Sequence, residues 1–406
     1  MIKKPMFAAV TAALLAGCAT SHAPETTAAA ANAPVATVTD GPALATLRMP
    51  PVERAPEDLN VLFWNTEQRS ARFRDMESWF AGYEIPAAQQ VREFPAGSPL
   101  PTALQAKIAA LVTETNAAGV MVIQDGKLRH ESYALGFDAS QRWTSFSVAK
   151  SFTSTLLGAA IRDGYIASLQ DSVAKYIPEM AGTPYQDVTV EQLATMTSGI
   201  RWNEDYTDPN SDVARMGEYV GGPGEDAIVN QLKTLPREAP AGEKWVYKTG
   251  ETNLLGVLVE RATGSSLAAY AKAKIVDPAG FEAPMFWMIE PSGRNIGGCC
   301  LSLRLADYAR MGQFVLEGGD GVVPEGWFAQ ATASQVKFGD TEFGYGYQWW
   351  TYPGDTYGAQ GIFGQAITLV PEEDLVVAVV SNWPTATTSD YRGKWRALIA
   401  EITAAE

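Results

Sequence analysis

Histidine is almost missing from this chain: 406 residues hold only His22 and His130. His22 lies in an unpatterned N-terminal stretch. A Ser-His-Asp relay would therefore depend on His130, which sits in the strand-like run KLRHESY and reads as an ordinary strand side chain. No G-x-S-x-G elbow, no H-E-x-x-H and no G-x-G-x-x-G between a strand and a helix occur. These absences speak against triad hydrolysis, zinc hydrolysis and dinucleotide-dependent hydride transfer. Cysteine is equally sparse, with Cys18, Cys299 and Cys300. The last two are adjacent in GGCC. A bond between neighbours closes a strained ring and two thiols make no metal framework, so both read as packing residues and the chain is no disulfide-stapled scaffold. Basic residues are in deficit: 31 Lys and Arg against 46 Asp and Glu give a formal charge of −15. A nucleic-acid partner needs the opposite balance.

What is present is a globular composition, 46% hydrophobic and 19% charged, long enough for one large or two ordinary domains. The N-terminus begins with Lys3 and Lys4, followed by a short apolar run over 6–16. That run is well short of the ~20 residues needed to span a bilayer, and the pattern is that of an export signal over 1–17. LLAGC resembles a bacterial lipoprotein box, which implies cleavage before a lipidated Cys18; an ordinary signal peptide cut near Ala23 is the alternative. The expected location is the periplasm, with membrane contact only through that anchor. Residues 18–57, rich in Ala, Pro, Thr and Val, read as a disordered tether.

Beyond the tether, AGVMVIQ, the turn dipeptide Asp125-Gly126 and KLRHESYALG predict a hairpin. SFTSTLLGAAIRDG carries Phe152, Leu156, Leu157, Ala160 and Ile161 at helical spacing and stops at Gly164. Residues 166–330 read as mainly helical. After them AITLV and LVVAVVSN predict strands, and DYRGKWRALIAEI a closing helix. The economical fold is one largely antiparallel sheet built from 58–165 and 331–406, flanked by helices, with a helical domain inserted.

A hydrolase can dispense with histidine if a lysine moves the proton. In SFSVAK, Ser147 and Lys150 share one face at a helix start. A buried lysine there has a lowered pKa and can accept the serine proton, while the helix N-terminus favours developing negative charge. S-x-x-K also recurs by chance, so the rest of the chain must supply context. YKTGETNLLGVLVE places Tyr247 two residues ahead of Thr249 before an amphipathic helix; a phenol there can hold or pass a proton and Thr249 can join its hydrogen bonds. GAQGIFG puts glycines beside a strand, where backbone can approach a ligand and an amide can face an oxyanion together with that of Ser147.

Taken in chain order, SFSVAKSFTSTLLGAAIRDG, VTVEQLATMTSGI, YKTGETNLLGVLVE, LSLRLADYARMGQFVLEGG, YGYQWW and GAQGIFGQAITLV resemble the serine β-lactamase and penicillin-binding superfamily. The resemblance covers about 60–400 and is nearest to the class C-like esterases and the 6-aminohexanoate-dimer hydrolase branch. It implies the β-lactamase/transpeptidase-like α/β fold, Ser147 as acylated nucleophile, Lys150 as general base and Tyr247 as proton shuttle. It also implies an oxyanion hole from the backbone amides of Ser147 and Ile362, with Thr249 and Gly361 in support. No metal or organic cofactor is implied, since lysine and tyrosine can move every proton. Two departures stand out. Ala359-Gln360-Gly361 replaces the usual Lys-Thr-Gly, and Thr249 stands where Ser or Asn is usual. Both favour a small ester or short linear amide over a β-lactam. A D,D-peptidase or weak β-lactamase is the alternative, and a catalytically dead binding scaffold a third reading. Trp245, Trp349 and Trp350 are candidates to line the pocket.

Overall fold

A computed structural model describes residues 44–222 and 224–405. The expected signal segment and Cys18 lie outside them. In chain order the strands are β1 (Thr46–Arg48), β2 (Gly82–Ile85), β3 (Ala117–Gln124), β4 (Lys127–Tyr133), β5 (Trp143–Thr144), β6 (Met285–Met288) and β7 (Leu301–Leu303). They continue with β8 (Val336–Lys337), β9 (Gly344–Tyr345), β10 (Trp350–Thr351), β11 (Tyr357–Gly361), β12 (Gln365–Val370) and β13 (Leu375–Ser381). Among the described residues they form two sheets, an eight-stranded one in the order β4-β3-β13-β12-β11-β10-β9-β8 and a five-stranded one in the order β1-β2-β6-β7-β5.

The large sheet is antiparallel and joins both ends of the chain, because β3 pairs with β13. Its central strands are buried on both faces, and the side chains divide between them with period two. Val120, Val122, Val377 and Val379 face the helices Thr102–Glu114 and Ser389–Thr403, meeting Leu104, Ile108, Trp395 and Leu398. Met121, Ile123, Val376 and Ala378 face the larger core that holds Ala149–Arg162, Thr249–Thr263 and Leu305–Leu316. Each such aliphatic side chain taken fully from water contributes about 1.5–3 kcal/mol. The β3–β4 hairpin turns at Asp125 and Gly126, both with positive φ (50° and 66°), the geometry that dipeptide favours.

Three expectations need correction. The sheet is not single: β5 comes from the segment ahead of Ser147 and pairs with β7, while β2 pairs with β6. The inserted region is therefore not all helical, since β6 and β7 arise inside it; both are short, fully buried and too brief to show a period. The tether does not reach residue 57, because Thr46–Arg48 is already paired with β2 and Arg48 bonds Glu84 at 2.6 Å.

Candidate active site

The chain leaves β5 and enters one 3-10 turn, Phe146–Val148, that runs straight into Ala149–Arg162. Phe146 has φ 44°, a left-handed conformation that an aromatic residue adopts only when its surroundings impose it. Here they do: its ring packs edge-on to Phe73 at 4.9 Å and against Phe363 at 5.4 Å. Ser147 follows at once, half-buried at the head of the helix.

Lys150, one turn on, is 1% exposed. Its Nζ lies 3.0 Å from Ser147 Oγ, 3.0 Å from Thr249 Oγ1 and 2.9 Å from the Gly298 carbonyl oxygen. None of these partners is charged. Burial therefore lowers the Lys150 pKa to about 7, opposed by the negative charge of Glu204 nearby. Gly298 can approach only because it lacks a Cβ: one there would come within 3.1 Å of Lys150 Nζ. Its amide donates to Asn253 Oδ1 at 2.7 Å, which fixes the carbonyl on the lysine.

The half-buried ring of Tyr247 lies with its centroid 5.2 Å from Lys150 Nζ, and Tyr247 and Ser147 line the same cavity. Burial raises the Tyr247 pKa, the Glu204 carboxylate adds to this, and the Ser147 hydroxyl and Arg392 oppose it, so the phenol keeps its proton at neutral pH. Trp350 stacks on the ring at 5.6 Å and Trp245 lies 6.4 Å away. Of the three candidate tryptophans, Trp350 lines the cavity, Trp245 supports the aromatic cluster and Trp349 is core.

Gly361 ends β11 against Ser147. A Cβ there would run into the Ser145 carbonyl and come within 3.1 Å of the Ser147 amide nitrogen, so only glycine lets the strand lie this close. Ile362 follows in a tight turn whose next residue, Phe363, is left-handed at φ 57°. The turn is clamped from outside. Arg392 donates from Nη2 to the Gly361 oxygen at 2.6 Å and from Nη1 to the Gln365 oxygen at 3.1 Å, while Gln365 Nε2 donates to the Ile362 oxygen at 3.1 Å. In a trans peptide the C=O of Gly361 and the N–H of Ile362 point in opposite directions. Holding one outward on Arg392 aims the other away from it. Burial lowers the Arg392 pKa to about 10, which leaves it charged at neutral pH.

Ser147, Lys150, Tyr247, Thr249, Gly361 and Ile362 are thus brought together. His130 is elsewhere, on β4 with its Nε2 3.0 Å from Ser132 Oγ. The sequence reading missed Glu204, Tyr206, Gly298 and Arg392. Glu204 accepts from the Thr249 amide at 2.9 Å, from the Thr249 hydroxyl, from Trp202 Nε1 and from the Tyr206 hydroxyl at 2.8 Å. It comes from a loop, WNEDY, with no periodicity to mark it; the cluster of aromatic and acidic residues was its only signal. Two cavities meet at Ser147. One, of about 850 Å³, is walled by Glu204, Tyr247, Trp350, Thr388 and Arg392. The other, of about 640 Å³, is largely apolar, and Ser147, Tyr206 and Ile362 belong to both.

Comparison with known proteins agrees with this geometry. The family model described as Beta-lactamase matches residues 104–401. The 6-aminohexanoate-dimer hydrolase of Paenarthrobacter ureafaciens is 30% identical over 316 residues, 72% of this chain and 79% of that protein. A lovastatin esterase of Penicillium rubens is 24% identical over 191 residues, 43% of this chain and 46% of its own length. Among solved structures, a candidate 6-aminohexanoate-dimer hydrolase from Bacillus anthracis superposes with a TM-score of 0.73 at 18% identity, covering 86% of this chain and 98% of that one. The last likeness concerns the fold, and the family match concerns the chain itself: it belongs to the Beta-lactamase family and is a serine hydrolase.

Proposed function

We propose that this hydrolase cleaves a carboxylic ester or small linear amide through an acyl-enzyme on Ser147, with Lys150 as general base and Tyr247 as proton donor. One observation carries the reading, the proton inventory around Lys150. The Thr249 hydroxyl gives its hydrogen to Glu204, so toward Lys150 its oxygen can only accept. The Gly298 carbonyl can only accept as well. A neutral amine has two N–H donors and one lone pair; with both donors taken by these oxygens, the lone pair is left facing Ser147. At pH values above about 7 the lysine is therefore both neutral and correctly turned to take the serine proton.

Ser147 Oγ then bonds to the carbonyl carbon, and the oxyanion is held by the amides of Ser147 and Ile362, the second aimed by the Arg392 clamp. Tyr247, protonated and lining the same cavity as Ser147, passes a proton to the leaving oxygen or nitrogen as its bond to carbon breaks, and is reprotonated from Lys150. Water attacks the acyl-enzyme by the reverse path. Labelling with a fluorophosphonate and locating the adduct by mass spectrometry tests the nucleophile: Ser147 carries it, and Ser147→Ala abolishes turnover of p-nitrophenyl butyrate. Full activity in that variant would overturn the mechanism.

A second reading, hydrolysis of β-lactams or D,D-peptides, has one observation in its favour: Arg392 puts a cation on the cavity wall beside Gln360, where the third motif lacks its lysine. That guanidinium is already bound to two backbone carbonyls, which leaves the ester or amide reading ahead. A chromogenic cephalosporin run beside p-nitrophenyl butyrate and a linear amide dimer separates the two. Export and lipid anchoring at Cys18 rest on the N-terminal sequence alone. Membrane association that is lost in Cys18→Ala is the expected result.

A further inference from the structure

The two cavities that meet at Ser147 divide the substrate between them, and their chemistry says how. This inference rests on the acyl-enzyme reading above. The bond to be cut sits at the junction, since Ser147 and Ile362 line both spaces. The atom that leaves must lie within reach of the group that protonates it. Tyr247 lines the 850 Å³ cavity and is absent from the lining of the 640 Å³ one. The leaving group therefore occupies the first space and the acyl chain the second.

We infer that the second cavity is an acyl-chain subsite built for an unbranched, uncharged aliphatic acyl group of medium length. Its apolar walls include Val213, Met216, Ile228, Val257, Met288 and Ile296, and the Asn253 and Asn295 side chains that also reach it have their Oδ1 atoms taken by the amides of Gly298 and Ala268. Two carboxylates also reach the lining, Glu218 and Glu290. Glu218 is paired with Arg215 at 2.7 Å, and Glu290 accepts from Ser292 Oγ at 2.6 Å while burial pushes its carboxyl upward toward the neutral form. Each carboxylate already has a partner within the protein, so neither is open to select a charged chain end. A larger substrate charge or polar group is accommodated on the leaving-group side, where Glu204, Thr388 and Arg392 stand.

The test is a chain-length series of p-nitrophenyl esters, acetate through octanoate, on the purified protein. Because the leaving group is constant, only the acyl side changes. Each methylene that enters the cavity raises kcat/KM about fourfold until the space is filled. Ala214→Phe, on the same wall, lowers the hexanoate-to-acetate ratio about tenfold. If that variant does not fold, Met216→Phe makes the same comparison. A flat series on protein whose Ser147 is labelled overturns the subsite and leaves the serine mechanism standing. So does a rise that survives the wall variants, or a 6-aminohexanoate ester that outpaces the hexanoate. Absence of any ester adduct on Ser147 removes the underlying reading instead.

Discussion

Among the described residues two lysines are fully buried, and they teach different things. Lys150, on the floor of the active site, is 1% exposed and touches only neutral oxygens. Lys248, in the packing layer just ahead of Thr249, is 0% exposed and sits 3.6 Å from the carboxylate of Glu251, itself buried and bonded by Ser198 and by Tyr185 at 3.2 Å. Burial raises the Glu251 carboxyl and Lys248 draws it back. The difference is the counter-charge. A buried lysine in ion-pair contact with a carboxylate is part of the scaffold; one that touches only neutral oxygens is pushed toward neutrality and can serve as a base. Lys248 precedes Thr249 in the chain and Lys150 lies 3.0 Å from its hydroxyl, so the two behaviours are set by side-chain neighbours over a few ångströms.

The largest effect should come from breaking the floor. Lys150→Arg keeps size and charge but cannot lose its proton, and should cost ~10²–10⁴-fold in kcat with unchanged near-UV circular dichroism. An active Arg variant would show that the base lies elsewhere. Next is the scaffold pair. Glu251→Leu leaves Lys248 buried and alone, and should lower unfolding stability by about 3–5 kcal/mol in urea titration; Lys248→Met with Glu251→Leu should recover most of it. If the double variant is no better than the single, the pair is not the unit supposed here. The Arg392 clamp comes third. Arg392→Gln should lower kcat about tenfold to a hundredfold, less than the loss of a whole oxyanion donor, and Arg392→Lys, which can reach one carbonyl only, should restore part of it. KM effects without a kcat effect would make Arg392 a binding group and not a positioning one.

The smallest effect sharpens the comparison most. In the wild type, kcat/KM should climb as pH rises through about 7, where Lys150 loses its proton. The Glu204 carboxylate holds that pKa up, so Glu204→Gln should move the climb to lower pH. A shift to higher pH would show that Glu204 acts chiefly through the Thr249 hydrogen bond and not through its charge.

Legibility in the sequence followed the range of the interactions. The hairpin of β3 and β4 was readable because Asp125-Gly126 fixes a local turn, and Ala149–Arg162 because its apolar residues recur at helical spacing. Ser147 and Lys150 were readable for the same reason, as one helical turn joins them. Tyr247, Gly361 and Ile362 became sites through ordered resemblance, since each is remote in sequence and ordinary by itself. Glu204 and Arg392 were invisible: one is in an irregular loop, the other reads as a surface arginine of the closing helix, and only their distant partners reveal them. The short strands β6 and β7 were missed because four or three residues carry no period.

By itself, then, the sequence determined the pairing of Ser147 with Lys150 on one helical turn, the antiparallel core strands and the scarcity of histidine, all of which depend on residue type and spacing along one element. Only the tertiary structure decided which way the Lys150 lone pair faces, how the Ile362 amide is aimed, and that two unlike cavities open at Ser147. Those outcomes depend on oxygens and guanidinium groups brought in from residues tens to hundreds of positions away, and no local pattern encodes the direction from which they arrive.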